Sequence, residues 1–286
     1  MTTLRDLVAE ELSRPVDPRV SAMAAAIAAE HGAASRAVLF FGSCLRQQQL
    51  DGLMLDFYLI VSEYRQAYAE RWLAAANRLI PPNVFYFEHD GLVSKYAVLS
   101  ETDFLRLNRP ETSSVSVWAR FAQPSRLVWF ADDRARDAAI EAVSMAAPTL
   151  LAAAGPRQNE KPLDHWSRAF ALTYSAELRA ERKSRAGSVV DLEPDRYARF
   201  YRPALGAAAV LRPHGSWARR RIEGKALSIV PLAKASMTFA GGAEYIVWKI
   251  NRHAGTDIQL KPWQRKHPLL AGLSLLPRLL KSGAVR

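Results

Sequence analysis

The chain has 286 residues, of which 49% are hydrophobic and 23% charged, a balance that excludes a wholly disordered protein. Its one cysteine, Cys44, excludes an internal disulfide and a cysteine-based zinc site within one chain. The net charge of +11 is confined to one region: residues 1–211 hold 25 basic and 25 acidic side chains, whereas residues 212–286 hold 14 basic and 3 acidic ones.

Residues 4–31 are rich in alanine and read as helix up to Gly32. The apolar run Ala37 to Phe41, stopped by Gly42-Ser43, reads as a short buried strand followed by a turn. Residues 53–61 read as a second apolar strand with Asp56 in its middle. A helix is expected over 66–80. Strands are expected over 83–87 and 93–99, with His89-Asp90-Gly91 turning between them. A short helix capped by Ser100 covers 101–108. Residues 126–130 read as a strand or a strand-to-helix connection, and 134–153 as an Ala-rich helix. The Pro- and Gly-containing segment 154–163 is the expected domain boundary. Beyond it the pattern is helical, over 164–185, 195–211 and 216–240. This is an α+β reading: a mixed sheet with flanking helices over 1–155, a mainly helical domain over 160–211, and a basic region over 212–286. The N-terminus lacks the apolar core of a secretion signal. No charge-free run of about 18 apolar residues occurs, so no transmembrane helix is expected.

Asp56 is the most informative residue. A carboxylate inside an apolar strand is costly to bury unless it is paired or bound to a metal. Upstream, a strand ends in Gly42-Ser43, where backbone N–H groups and a hydroxyl can approach a phosphate closely. An acid on the next strand can hold a divalent cation that bridges phosphate oxygens. Strand, Gly-Ser, spacer and acid-on-strand is the pattern of the nucleotidyltransferase superfamily. That superfamily usually has a second acid two residues on, where this chain has Tyr58.

Further blocks narrow the resemblance. Phe41-Gly42-Ser43, Asp56-Phe57-Tyr58-Leu59, Phe85-Tyr86-Phe87-Glu88, Lys95 to Ser100 and Trp118 to Arg126 follow in order. Leu172 to Arg179 and Phe200-Tyr201-Arg202-Pro203 continue the match in the helical half, and Gly224-Lys225 in the basic part. Together, over about residues 35 to 250, they resemble the mitochondrial-type phosphatidate cytidylyltransferases, the translocator assembly and maintenance family. The chain departs from that family's pattern at Cys44, at Glu88-His89 and at Ala97.

The resemblance implies a nucleotidyltransferase-like sheet and a reaction of CTP with phosphatidate, giving CDP-diacylglycerol and pyrophosphate with Mg²⁺. It implies that Gly42 and Ser43 cradle phosphates and that Asp56 binds the metal. Glu63 and Glu88 are candidates for the missing second metal ligand. Lys95 is the candidate to neutralise pyrophosphate charge as a catalytic group. Tyr96, Arg120 and Arg179 complete the nucleotide site, the arginines as bidentate phosphate clamps. Tyr174 reads as core, and the six histidines as structural or surface residues. Cys44 reads as a packing residue.

The basic region suits an anionic membrane surface. Trp217, Arg219, Arg220, Arg221, Trp263 and Lys266 place tryptophan beside cations. Arg278 and Lys281 share a narrow polar face in the Leu-rich stretch 269–281. No nucleic-acid partner is expected, because no nucleic-acid-binding motif is present. High Ala and Arg content suggests a bacterial protein, peripheral on the inner face of the cytoplasmic membrane. The alternatives are transfer to another acceptor, namely RNA, protein or another lipid phosphate, and a non-catalytic lipid-binding relative.

Overall fold

The computed structural model describes residues 2–47, 50–176 and 189–221. Its elements are α1 (Leu4–Leu12), α2 (Pro18–Glu30), β1 (Ser35–Phe41), α3 (Ser43–Gln47), β2 (Met54–Val61), α4 (Tyr64–Ala67), α5 (Arg71–Leu79), β3 (Asn83–His89) and β4 (Leu92–Ser100). They continue with α6 (Glu101–Asn108), α7 (Trp118–Phe121), β5 (Ser125–Phe130), α8 (Asp133–Ser144), α9 (Ala146–Ala154), α10 (Pro162–Ala176) and α11 (Pro194–Ala208). A helical turn covers 217–221.

The strands fall where the apolar runs predict them, and three helices are subdivided. The helix expected over 4–31 breaks between α1 and α2. Asp17 restarts it by accepting from the Arg19 N–H, with Pro18 at the first helical position. The helix expected over 66–80 is α4 and α5, separated at Tyr68, whose backbone is extended. The Tyr68 ring packs instead against His31 and Phe85. The helix over 134–153 divides at Met145, which lets Pro148 sit in the first turn of α9, where its missing N–H costs nothing. Between β3 and β4 the turn is Asp90-Gly91 alone, both at positive φ (47° and 73°), while His89 still pairs with Leu92. Two consecutive left-handed residues give the turn whose twist matches that of a hairpin.

The fold is α+β. The described strands form a mixed five-stranded sheet in the order β3-β4-β2-β1-β5. β2 and β4 run parallel, and every other neighbouring pair is antiparallel. Alternation along the strands separates two cores. On one face, Ala37, Leu39, Tyr58, Ile60, Ala97 and Leu99 pack with α1 and α6–α9, and α10 and α11 close over α9 in the same cluster. On the other, Val38, Phe40, Phe57, Leu59, Tyr96 and Val98 pack under α2. Among the described residues, 133–154 is the one helical stretch long and apolar enough to cross a membrane; 61% of its apolar window is buried inside this fold.

The helical half is tied to the sheet by a buried ion pair. Arg196 on α11 donates to both carboxylate oxygens of Glu11 on α1, and its Nη1 donates to the Ala122 carbonyl behind α7 at 3.1 Å. The two side chains are 7% and 5% exposed. The guanidinium also lies over Tyr197 and Phe200. Glu11→Gln is expected to lower the unfolding free energy by about 3–5 kcal/mol, because it strands a buried charge. Glu10→Gln, which removes only exposed pairs with Arg14 and Arg199, should leave the urea midpoint near wild type. Parallel urea denaturations measure the contrast.

Candidate functional site

One rung of cross-strand neighbours runs across the sheet: Ser125 on β5, Phe41 on β1, Asp56 on β2, Lys95 on β4 and Tyr86 on β3. Residues directly opposite each other share a face, so the pairing register alone brings these side chains together. Lys95 Nζ lies 3.0 Å from Asp56 Oδ1, with the two side chains 33% and 21% exposed. The pair is thus partly desolvated and partly exposed.

Gly42 follows Phe41 directly and has φ +97°. A Cβ at this position would lie 2.8 Å from Asp56 Oδ2. Only glycine lets the turn after β1 close on the carboxylate. Ser43 opens α3 and is exposed beside it, while Cys44 points into the core and donates weakly to the Met54 carbonyl. Burial, reinforced by the Asp56 charge, pushes the Cys44 thiol up, so it packs as a neutral thiol.

A second cation reaches this face from α7. Arg120 Nη1 donates to the Ser116 carbonyl at 3.0 Å and to the Tyr58 hydroxyl at 3.3 Å, and its guanidinium lies over Phe41. Tyr58 is 2% exposed and packs on Phe41 and Phe121. It occupies the position two residues after Asp56. Here that position is a buried hydroxyl holding an arginine.

The structure therefore sets the Gly42 turn, Asp56 and Lys95 together, with Ser43 next in the chain and Arg120 on the same face over Phe41 and Tyr58. It separates three other candidates from them. Tyr96 lies on the opposite face of the sheet, in the core under α2. Glu63 follows the far end of β2, seven residues from Asp56, or about 20 Å at strand rise. Glu88 is level with Met54 through Val93, two strands away, and accepts from the Tyr86 hydroxyl. Arg179 lies outside the described residues, as do Trp263, Lys266, Arg278 and Lys281. Tyr174 packs against the core, as expected. Arg219 and Arg221 are exposed. Trp217 and Arg220, expected at a membrane surface, are instead built into the fold: the Trp217 indole donates to the Ala153 carbonyl, and Arg220 is 2% exposed. Tyr86 was missed in the sequence because Phe85-Tyr86-Phe87 is aromatic throughout and gives no sign of which ring shares a face with Lys95.

These positions decide how Mg²⁺ fits. Among the described residues no three His, Cys, Asp or Glu side chains form a metal-binding group. Asp56 contributes one carboxylate, and neither Glu63 nor Glu88 joins it. Mg²⁺ is often held by one or two carboxylates and by substrate phosphates. The donor set fits a cation carried in with a polyphosphate, and does not fit an all-protein cage.

No protein-family model matches the chain, and no curated protein matches it.

Two predictions follow from this geometry. Gly42→Ala should destabilise the protein by about 2 kcal/mol or more, from backbone strain and the clash with Asp56. Gly52→Ala, also at positive φ but facing open space, should cost only about 1 kcal/mol. Chemical denaturation of both separates the clash from the strain. On the opposite face, His31 Nδ1 donates to the Ala67 carbonyl and Nε2 accepts from the Tyr96 hydroxyl. Burial pulls the His31 pKa below its ordinary 6.5. The unfolded chain therefore binds the proton more readily, and the His31 contribution is present above pH 6.5 and lost as pH falls below it. Between pH 6.5 and 5.5 the melting temperature of His31→Gln should fall less than that of the wild type.

Proposed function

We propose that the protein is a nucleotidyltransferase that joins CTP to phosphatidate, giving CDP-diacylglycerol and pyrophosphate at an anionic membrane surface. The observation that carries this reading is the arrangement on one sheet face, in which a glycine turn closes on Asp56, Lys95 pairs with that carboxylate, and Arg120 lies over the neighbouring Phe41. The ordered sequence blocks that resemble the mitochondrial-type phosphatidate cytidylyltransferases support the choice of nucleotide and acceptor.

The chemistry asks little of a general base. The phosphatidate phosphate is already an anion, and one of its oxygens attacks the α-phosphorus of CTP. A new P–O bond forms there as the bond to the β-phosphate oxygen breaks, and pyrophosphate leaves with the electron pair. Catalysis then rests on alignment and on charge placed where the leaving group develops. Lys95 supplies an ammonium from mid-strand. Arg120 offers a planar fork suited to phosphate, fixed at its base by Tyr58 and Ser116. Gly42 and Ser43 let phosphate oxygens approach the backbone and a hydroxyl. Asp56 orients Lys95 and is the residue that would hold Mg²⁺, which when bound supplies further neutralisation of phosphate charge.

A second reading, transfer to a different acceptor, is favoured by one observation: Tyr58 stands where the superfamily it resembles usually has an acid, which reshapes the acceptor side of the site.

Pyrophosphate release from CTP with and without phosphatidate micelles tests the proposal. The wild type should show phosphatidate-dependent release, and Asp56→Asn and Lys95→Met should each lower it by about 10²-fold or more. Release with RNA, protein or another lipid phosphate, and none with phosphatidate, selects the second reading. No release with any acceptor overturns both and leaves a binding role.

A further inference from the structure

The geometry points to Arg220 as the positioning residue for Arg120, acting through the segment 110–118. This deepens the reading above, because it concerns how the second cation of that site is held.

Residues 109–117 connect α6 to α7 with no regular secondary structure. Such a segment leaves backbone carbonyls that need donors from elsewhere. Arg220 supplies them across more than 100 residues of sequence. Its Nη1 donates to the Thr112 carbonyl at 2.8 Å and to the Ser113 carbonyl at 3.0 Å, and its Nη2 donates to the His214 carbonyl at 2.7 Å. The guanidinium lies 5.7 Å from the Trp118 ring and 5.9 Å from the Trp217 ring. The His214 N–H in turn donates to the Pro110 carbonyl at 2.9 Å, and the Trp217 indole is anchored on the Ala153 carbonyl at 2.8 Å. Arg220, Trp118 and Thr112 are buried, Trp217 is half-buried and His214 is exposed.

The clamped segment leads straight into Arg120. α7 is four residues long, begins at Trp118 and has no side-chain cap at Val117. So short a helix cannot hold its own direction. Its orientation is set by what grips Trp118 and the preceding turn. Arg120 also bonds to the Ser116 carbonyl, only three residues beyond the second carbonyl that Arg220 holds. One buried arginine therefore fixes the base from which the other reaches Tyr58 and the face of Phe41. Lysine retains a charge and three donors, enough to reach two of the three carbonyls. Methionine fills the volume and donates nothing.

The test compares the intact wild type with Arg220→Met and Arg220→Lys. Segment-resolved amide exchange is read first. Arg220→Met should speed exchange over 112–121 by about tenfold or more, with β2 and β4 at their wild-type rates, and Arg220→Lys should recover much of the loss. In turnover of CTP with phosphatidate, Arg220→Met should cost about tenfold alone and nothing further in an Arg120→Met background. Unchanged exchange over 112–121, uniform loosening of every segment, or an equal cost in the Arg120→Met background each overturn the proposal. A wild type that turns over no CTP overturns the proposed reaction alone, and the exchange comparison still decides the role of Arg220.

Discussion

A carboxylate in the middle of an apolar strand needs a counter-charge, and the arrangement of the sheet around Asp56 meets that need. β2 and β4 pair in parallel so that Asp56 and Lys95 are direct neighbours. A slip of one residue would turn Lys95 into the core under α2 and bring Tyr96 to the site face. The same slip would leave Asp56 without a cation. The polar pair and the alternation of apolar residues thus select the same register, and each makes the alternative registers of the other costly. Gly42 adds the third constraint, since a side chain there would displace the carboxylate that the register has placed.

From this fixed pair the rest of the site is reached by elements with little structure of their own. Arg120 arrives on a four-residue helix, and its guanidinium is steadied by a tyrosine hydroxyl and a backbone carbonyl. Asp56 and Lys95 are thus placed by the sheet itself, and Arg120 by the segment between α6 and β5, whose own regular structure is the four residues of α7. The buried contacts of Arg196 with Glu11 and with the Ala122 carbonyl hold the far end of α7. Those of Arg220 hold the near end. Both arginines come from the helical half of the chain, which gives that half a structural part in the site without placing any of its described residues on the site face.

Much of the sheet was legible in the sequence because it depends on local signals. Short apolar runs ended by Gly-Ser and Asp-Gly define strands and turns within a residue or two. Asp56, Gly42, Lys95 and Arg120 stood out for a related reason: each is a polar or special residue in a setting where it is costly without a purpose. The errors have a common physical origin too. Glu63 was grouped with Asp56 because both lie on or just after one strand, but a strand rises about 3.3 Å per residue and carries them to opposite ends. Tyr96 was placed in the nucleotide site by the resemblance of the Lys95 to Ser100 block, whereas neighbours along a strand face opposite sides and Tyr96 lies in the core under α2. Arg220 sits in an Arg-Arg-Arg run that reads as charge facing a membrane surface. Its partners are backbone carbonyls of residues 112 and 113, and carbonyls leave no trace in a sequence.

Tyr58, two residues after Asp56 on the same face of β2, bears on the electrostatics of the site as well as on its shape. Asp56 is the one carboxylate on its rung, and Lys95 pairs with it there. Arg120 reaches the same face of the sheet over Phe41. The hydroxyl of Tyr58 accepts from Arg120, whereas a carboxylate at that position would add a second negative charge beside the Asp56–Lys95 pair. Charge on this face is therefore set by the strand register and by the short helix α7, while the closeness of Gly42 to Asp56 limits the room beside the carboxylate.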